Sequence, residues 1–99
     1  MKKTFTFEFE EEKANTLTYE CSMAEDEKLS TSVENGVSTI YANRSALITL
    51  AKLLVKMALG SHAGGFHVHL HQDFNSELPD CLTVILTDAS RGKPGTRNV

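Results

Sequence analysis

Gly65-Phe66-His67-Val68-His69-Leu70-His71 alternates apolar and histidine residues with period two. Successive side chains of a strand point to opposite faces. Phe66, Val68 and Leu70 therefore share one face, and His67, His69 and His71 share the other. The first face reads as core. The second carries three imidazoles in line, the densest cluster of functional side chains in the sequence. A strand with one apolar and one polar face belongs to a half-covered sheet, so the segments on either side decide the architecture.

Downstream, Gln72 to Asp80 is rich in Asp, Asn, Ser and Pro and reads as a loop. Leu82 to Asp88 reads as the last strand, with Leu82, Val84 and Leu86 inward and Thr83, Ile85 and Thr87 outward. Ala89 to Val99 holds Arg91, Lys93 and Arg97 with two glycines and a proline, the composition of a flexible basic tail. The folded unit is expected to be a single domain over residues 1–88.

Upstream of the histidine strand lies a Ser/Gly connector, 61–65, and before it a helix. Asn43 or Ser45 can cap that helix and Gly60 can end it. Leu47, Leu50, Ala51, Leu54 and Ala58 recur at three and four and form the expected core stripe, above Phe66, Val68 and Leu70. Ser45, Thr49, Lys52 and Lys56 form a narrow polar line. Ile48, Leu53, Val55 and Leu59 border that line, so the helix is apolar around most of its circumference. Loops, a curled sheet, a partner protein or a homodimer mate must cover the excess.

The first 42 residues read as two hairpins. Thr4 to Glu10 places Phe5, Phe7 and Phe9 on one face; Thr16 to Ser22 places Leu17, Tyr19 and Cys21 on one face. Met23 to Lys28 is an acidic loop. Leu29 to Glu34 and Val37 to Ala42 flank Asn35-Gly36, a strong hairpin signal because a type I′ turn needs positive φ at both central residues. The order ββββ-α-ββ predicts an α+β fold, a largely antiparallel sheet with one helix packed on one face.

Ninety-nine residues can bury a core without disulfide or metal. Cys21 and Cys81 lie far apart in no metal-ligand spacing and read as buried free thiols. No apolar run approaches a membrane span, and Met1-Lys2-Lys3 is followed by alternating residues rather than an apolar signal segment. A cytoplasmic protein is expected. The net charge of −3 is uneven: residues 1–35 hold nine acids against four lysines, whereas residues 36–99 hold six bases against four acids. An acidic first third argues against nucleic acid as a direct ligand. It suits a basic protein partner, such as an enzyme that itself acts on nucleic acid.

Catalytic sets are hard to assemble. No Gly-x-Ser-x-Gly elbow is present, and Gly64-Gly65 precedes a strand rather than the helix N-terminus a phosphate would need. His67 and His69, or His69 and His71, lie about 7 Å apart at Cα and could share a metal, with Asp73, Glu20 or Glu8 as a further ligand. His67 and His71 lie about 13 Å apart, so the row does not close on one ion. The histidines are thus metal ligands of a small metal-binding protein or metal-dependent enzyme, a recognition surface, or a row that only meets solvent on the open face of the sheet.

Asn43-Arg44-Ser45-Ala46-Leu47-Ile48-Thr49-Leu50-Ala51-Lys52-Leu53-Leu54, the Gly/Ser linker, Phe66-His67-Val68-His69-Leu70 and Leu82-Thr83-Val84-Ile85-Leu86 together point to a family. Over residues 37–88 the chain resembles small bacterial immunity proteins of polymorphic toxin systems, of the type called immunity protein 32. That type carries an N-x-x-G-L-x-x-L-A-x-x-L helix and an H-x-H-x-D strand. Here Ala46 stands for the glycine and His71 for the aspartate, with Asp73 two residues on. The resemblance implies a cytoplasmic protein of contact-dependent growth inhibition. It would bind and neutralise a cognate toxin domain, with no catalysis, cofactor, nucleic acid or membrane. The expected partner-binding residues are His67, His69, His71 and Asp73 on the histidine strand and Glu8, Glu10 and Glu20 on the acidic hairpin.

Overall fold

A computed structural model describes residues 1–13, 15–18 and 26–87. Two β-hairpins flank one helix: β1 (Leu29–Glu34), β2 (Val37–Ala42), α1 (Arg44–Leu59), β3 (His67–His71) and β4 (Asp80–Ile85), with a 3-10 turn at Gln72–Phe74. β1 pairs antiparallel with β2, and β3 with β4, as two separate two-stranded sheets. The fold is α+β with the order ββ-α-ββ, not the single sheet expected from ββββ-α-ββ.

The correction lies in the first 22 residues. Residues 4–10 and 16–18 form no strand, and residues 19–22 lie outside the described set. The period-two pattern of Phe5, Phe7 and Phe9 nevertheless has a use. The three rings stack in sequence, at centroid separations of 6.5 and 5.6 Å. The ammonium groups of Lys52 and Lys56 sit over the rings of Phe7 and Phe9, at 5.5 and 6.0 Å. Alternating aromatics state a wish for one covered face, and a helix flank meets it as well as a sheet does. Lys56 Nζ also donates to the Thr18 carbonyl at 2.7 Å, tying the returning segment to the same flank.

The β1–β2 hairpin follows expectation. Its strands have the expected limits, and Asn35 and Gly36 adopt φ of 53° and 78°. Asn43 then joins hairpin to helix. Its Oδ1 accepts from the N–H groups of Ala46 and Lys28, and its Nδ2 donates to the Asp26 carbonyl. One side chain thus caps α1 and holds the chain entering β1 against it.

Gly60 ends the helix as expected, but in extended backbone. A Cβ there would meet the His62 ring at 2.6 Å and the Lys56 carbonyl at 2.9 Å, so close approach fixes the glycine.

Which face of α1 points inward is a second correction. Of the expected stripe of Leu47, Leu50, Ala51, Leu54 and Ala58, Leu50 packs against the core, but Leu47, Leu54 and Ala58 are exposed. The buried positions are Ala46, Thr49, Leu53 and Met57. Leu53, Leu29 and Leu70 are all 0 % exposed and form the centre of the core, with Leu50, Val68, Phe74, Cys81 and Leu82 packed around them. The helix is rotated because Thr49, read as part of a solvent line, is buried with Glu27, whose carboxylate accepts from its hydroxyl. An acid from a segment read as a solvated loop draws the polar line inward.

β3 keeps the expected alternation, with Leu70 buried and Val68 half-buried opposite exposed His67 and His69. The last strand runs from Asp80 to Ile85 rather than from Leu82 to Asp88. Cys81 is free and half-buried; Cys21 and the expected tail over 89–99 lie outside the described residues. Among the described residues no helix is long and apolar enough to cross a membrane.

Candidate functional site

The outer face of the β3–β4 hairpin gathers the histidines. Ladder register places His67 across from Ile85, His69 across from Thr83 and His71 across from Asp80. Strict alternation from inward Leu82 and Val84 would have sent Asp80 inward and Cys81 outward. A bulge between Leu70 and His71 sets two residues of β4 against one of β3 and reverses that parity. Cys81 joins the core rim, and Asp80 comes out beside the imidazoles.

Asp80 then sits between two rings. Its Oδ1 lies 3.1 Å from His71 Nδ1 and its Oδ2 lies 3.8 Å from His69 Nδ1. His71 Nδ1 also lies 2.7 Å from the Leu78 carbonyl, and His67 Nδ1 lies 3.2 Å from the Gly65 carbonyl. A carbonyl oxygen only accepts, so both nitrogens carry a proton in these bonds. Nε2 is thereby left as the basic nitrogen of neutral His67 and His71. His69 Nδ1 shares a hydrogen bond of 3.1 Å with the Thr83 hydroxyl. The His67 and His69 rings meet edge to face at 4.9 Å. Backbone and neighbours thus fix all three rings on one face, with His67 and His69 exposed and His71 half-buried.

This arrangement can present hydrogen-bonding groups and, on protonation, positive charge to a partner. It does not converge on one point. Among the described residues no group of three or more His, Cys, Asp or Glu side chains is placed to hold a metal ion. Catalysis would need a nucleophile aligned with one of these bases. Among the described residues the thiol is that of Cys81, which is pushed up from its ordinary pKa by burial and then by the negative charges of Asp73 and Asp80, the opposite of activation.

The other expected site residues are dispersed. Asp73 lies in the 3-10 turn after β3, and its half-buried carboxylate turns to β1 and accepts from the Leu29 N–H at 2.7 Å. It and Phe74 take left-handed φ of 54° and 56°, a conformation held by this bond and by Phe74 packing on the core. Glu8 and Glu10 are exposed on the N-terminal segment, which packs against the lysine flank of α1 through Phe7 and Phe9. Glu20 lies outside the described residues. Asp80, expected at the end of the 72–80 loop, is the acid that joins His69 and His71. Its signal was a charged residue at an inward-facing parity in a strand, which calls for a bulge.

His62 stands apart from this row. Its ring stacks on Phe66 at 4.3 Å, and its Nδ1 accepts from the Asn15 N–H. It holds Asn15 to the segment after α1, together with Asn15 Oδ1, which accepts from Ala63 N–H, and Glu11, which accepts from Ser61 N–H.

Set beside known protein families, curated proteins and solved structures, the chain finds no match in any of the three.

Proposed function

We propose that this chain is an immunity protein that binds and neutralises a cognate bacterial toxin by direct contact, using the outer face of the β3–β4 hairpin. The observation that carries the proposal is the row of His67, His69 and His71 along one face of β3, the first two exposed and the third half-buried, held by backbone carbonyls, Thr83 and Asp80. Fixed rings on a strand present large, half-apolar contact surfaces at little cost in side-chain entropy. Ile85, 56 % exposed beside His67, gives the same face an apolar anchor. The resemblance of residues 37–88 to immunity proteins of polymorphic toxin systems supports the same reading. Exposed Glu8 and Glu10 add negative potential suited to steering a basic toxin, such as a nuclease, into contact.

Inhibition by occupancy differs from enzymatic protection in stoichiometry. Titrated into the purified toxin domain encoded beside it, the chain should abolish toxin activity near one equivalent. Substoichiometric protection would replace binding by turnover, and no protection at excess would reject the proposal. The double variant H67A/H69A should weaken the complex at least tenfold while the circular dichroism stays unchanged.

A further inference from the structure

The four histidines of the chain differ in what their Nδ1 atoms face. His67 and His71 face carbonyl oxygens, so Nδ1 already carries a proton, and a second proton at Nε2 leaves those bonds in place. His69 faces the Thr83 hydroxyl, which can turn to donate or to accept, and the Asp80 carboxylate beside it welcomes a charged ring. His62 is the opposite case. Its Nδ1 lies 3.2 Å from the Asn15 amide nitrogen, whose N–H only donates. Nδ1 must therefore offer a lone pair, and the ring is neutral with its proton on Nε2. Turning the ring over is no remedy, because it presents a carbon to the amide.

We propose that His62 is a pH-sensitive clasp, neutral when it holds the N-terminal segment to the end of α1 and opening when protonated. The inference is independent of the toxin-binding reading above. A proton on Nδ1 sets N–H against N–H and turns a hydrogen bond into a repulsion. The same amide belongs to a residue that is held twice, since Asn15 Oδ1 accepts from the Ala63 N–H. Among the described residues, the charged groups that share a small hollow with His62 are Glu11 and Glu12 from the N-terminal segment and Lys56 from α1, while Phe66 stacks on the ring. Each charge is already engaged. Glu11 accepts from the Ser61 N–H, Glu12 accepts from the Thr18 N–H and hydroxyl, and Lys56 donates to the Thr18 carbonyl. The carboxylates can attract an imidazolium, but only by drawing it away from Asn15 and off Phe66, which also opens the clasp. The open form can bind a proton at Nδ1 that the closed form excludes, so acid favours opening. Histidine is the side chain whose charge changes in the range where this matters.

Amide exchange followed by NMR on the full chain, expressed as protection against the intrinsic rate at each pH, tests the proposal. In the wild type, protection of the Asn15 and Ala63 amides should fall at least about tenfold between about pH 7.5 and about pH 5.5, the range over which an ordinary histidine titrates. Protection of Leu53, in the middle of α1, should stay as it was. H62N sets a carbonyl oxygen near the place of Nδ1 and takes up no proton, so it should keep its protection at both pH values. H62F keeps the stack on Phe66 without an acceptor and should show the lower protection at both. Wild-type protection that does not change with pH overturns the proposal. So does an H62N chain that loses protection in acid as the wild type does, which would assign the effect to Glu11 or Glu12.

Discussion

Replacing Asp73 separates two contributions that the structure places in one residue. Leu29 pairs with Ala42 at a position where the β1–β2 ladder makes no hydrogen bond, because the adjacent pair is the one closed by the Asn43 N–H to the Lys28 carbonyl. The Leu29 N–H therefore points away from β2. Leu29 is 0 % exposed, so water cannot readily take the place of Asp73 Oδ1 at 2.7 Å. A hydrogen bond to a charged group contributes about 1.5–3 kcal/mol, and stranding a buried amide costs about as much. Asp73 also holds φ at 54°, where Asn and Gly are at ease and an alanine loses about 1 kcal/mol more. Asn keeps the acceptor and the backbone but loses the charge, so D73N should cost about 1 kcal/mol. D73G keeps only the backbone and should cost about 2 kcal/mol. D73A keeps neither and should cost about 3 kcal/mol. Urea unfolding followed by circular dichroism gives each value from the midpoint at constant m. If D73A costs under about 1 kcal/mol, the bond to Leu29 is not a mainstay of the fold. If D73G is as damaging as D73A, the left-handed backbone is not part of the cost.

Two further predictions follow from the packing and the thiol. L53A should destabilise the chain by about 3 kcal/mol through the cavity it leaves, whereas L47A, at an exposed position, should cost under about 1 kcal/mol; equal losses in urea titrations would mean that α1 is rotated back to the face its sequence suggested. The Cys81 thiol is raised by burial first, then by Asp73 and Asp80. The folded state therefore holds the proton to higher pH than the unfolded state. The resulting stability is complete below the unfolded thiol value of about 8.5 and is lost as pH rises through the folded value. C81A should flatten that alkaline decline, and D73N should speed the reaction of Cys81 with a disulfide reagent near pH 8; unchanged rates in D73N would remove Asp73 from the list of causes.

Much of this arrangement was legible because single residues encode it. Asn35-Gly36 fixed the first hairpin, Asn43 and Gly60 bracketed α1, and the His-x-His alternation assigned both faces of β3. The orientation of α1 was not legible, because leucines occupy several sides of the helix and periodicity alone does not choose among them. What chooses is the burial of Thr49 with Glu27, a pairing 22 residues apart that no local pattern announces. The N-terminal segment misled for a related reason. Alternating phenylalanines record that one face is covered without recording by what, and the covering element is the lysine flank of α1. The histidine row was visible from the sequence, but its partner Asp80 was not, because the bulge that turns it outward is set by pairing with β3 rather than by composition.

The separation of the two hairpins into independent sheets bears on how the chain opens. Each sheet closes over a short span of sequence: two residues separate β1 from β2, and eight separate β3 from β4. Side-chain hydrogen bonds join the hairpins, from the Thr31 hydroxyl to the Cys81 carbonyl and from the Leu29 amide to Asp73. Local closure of this kind favours rapid folding. It also leaves two units able to open separately, since no ladder is shared between them. Amide protons near Asn35, at the far end of a hairpin whose Val33 and Val37 are 73 and 62 % exposed, should exchange by fraying. Those of α1 around Leu53 and of β3 around Leu70 should wait for unfolding of the whole.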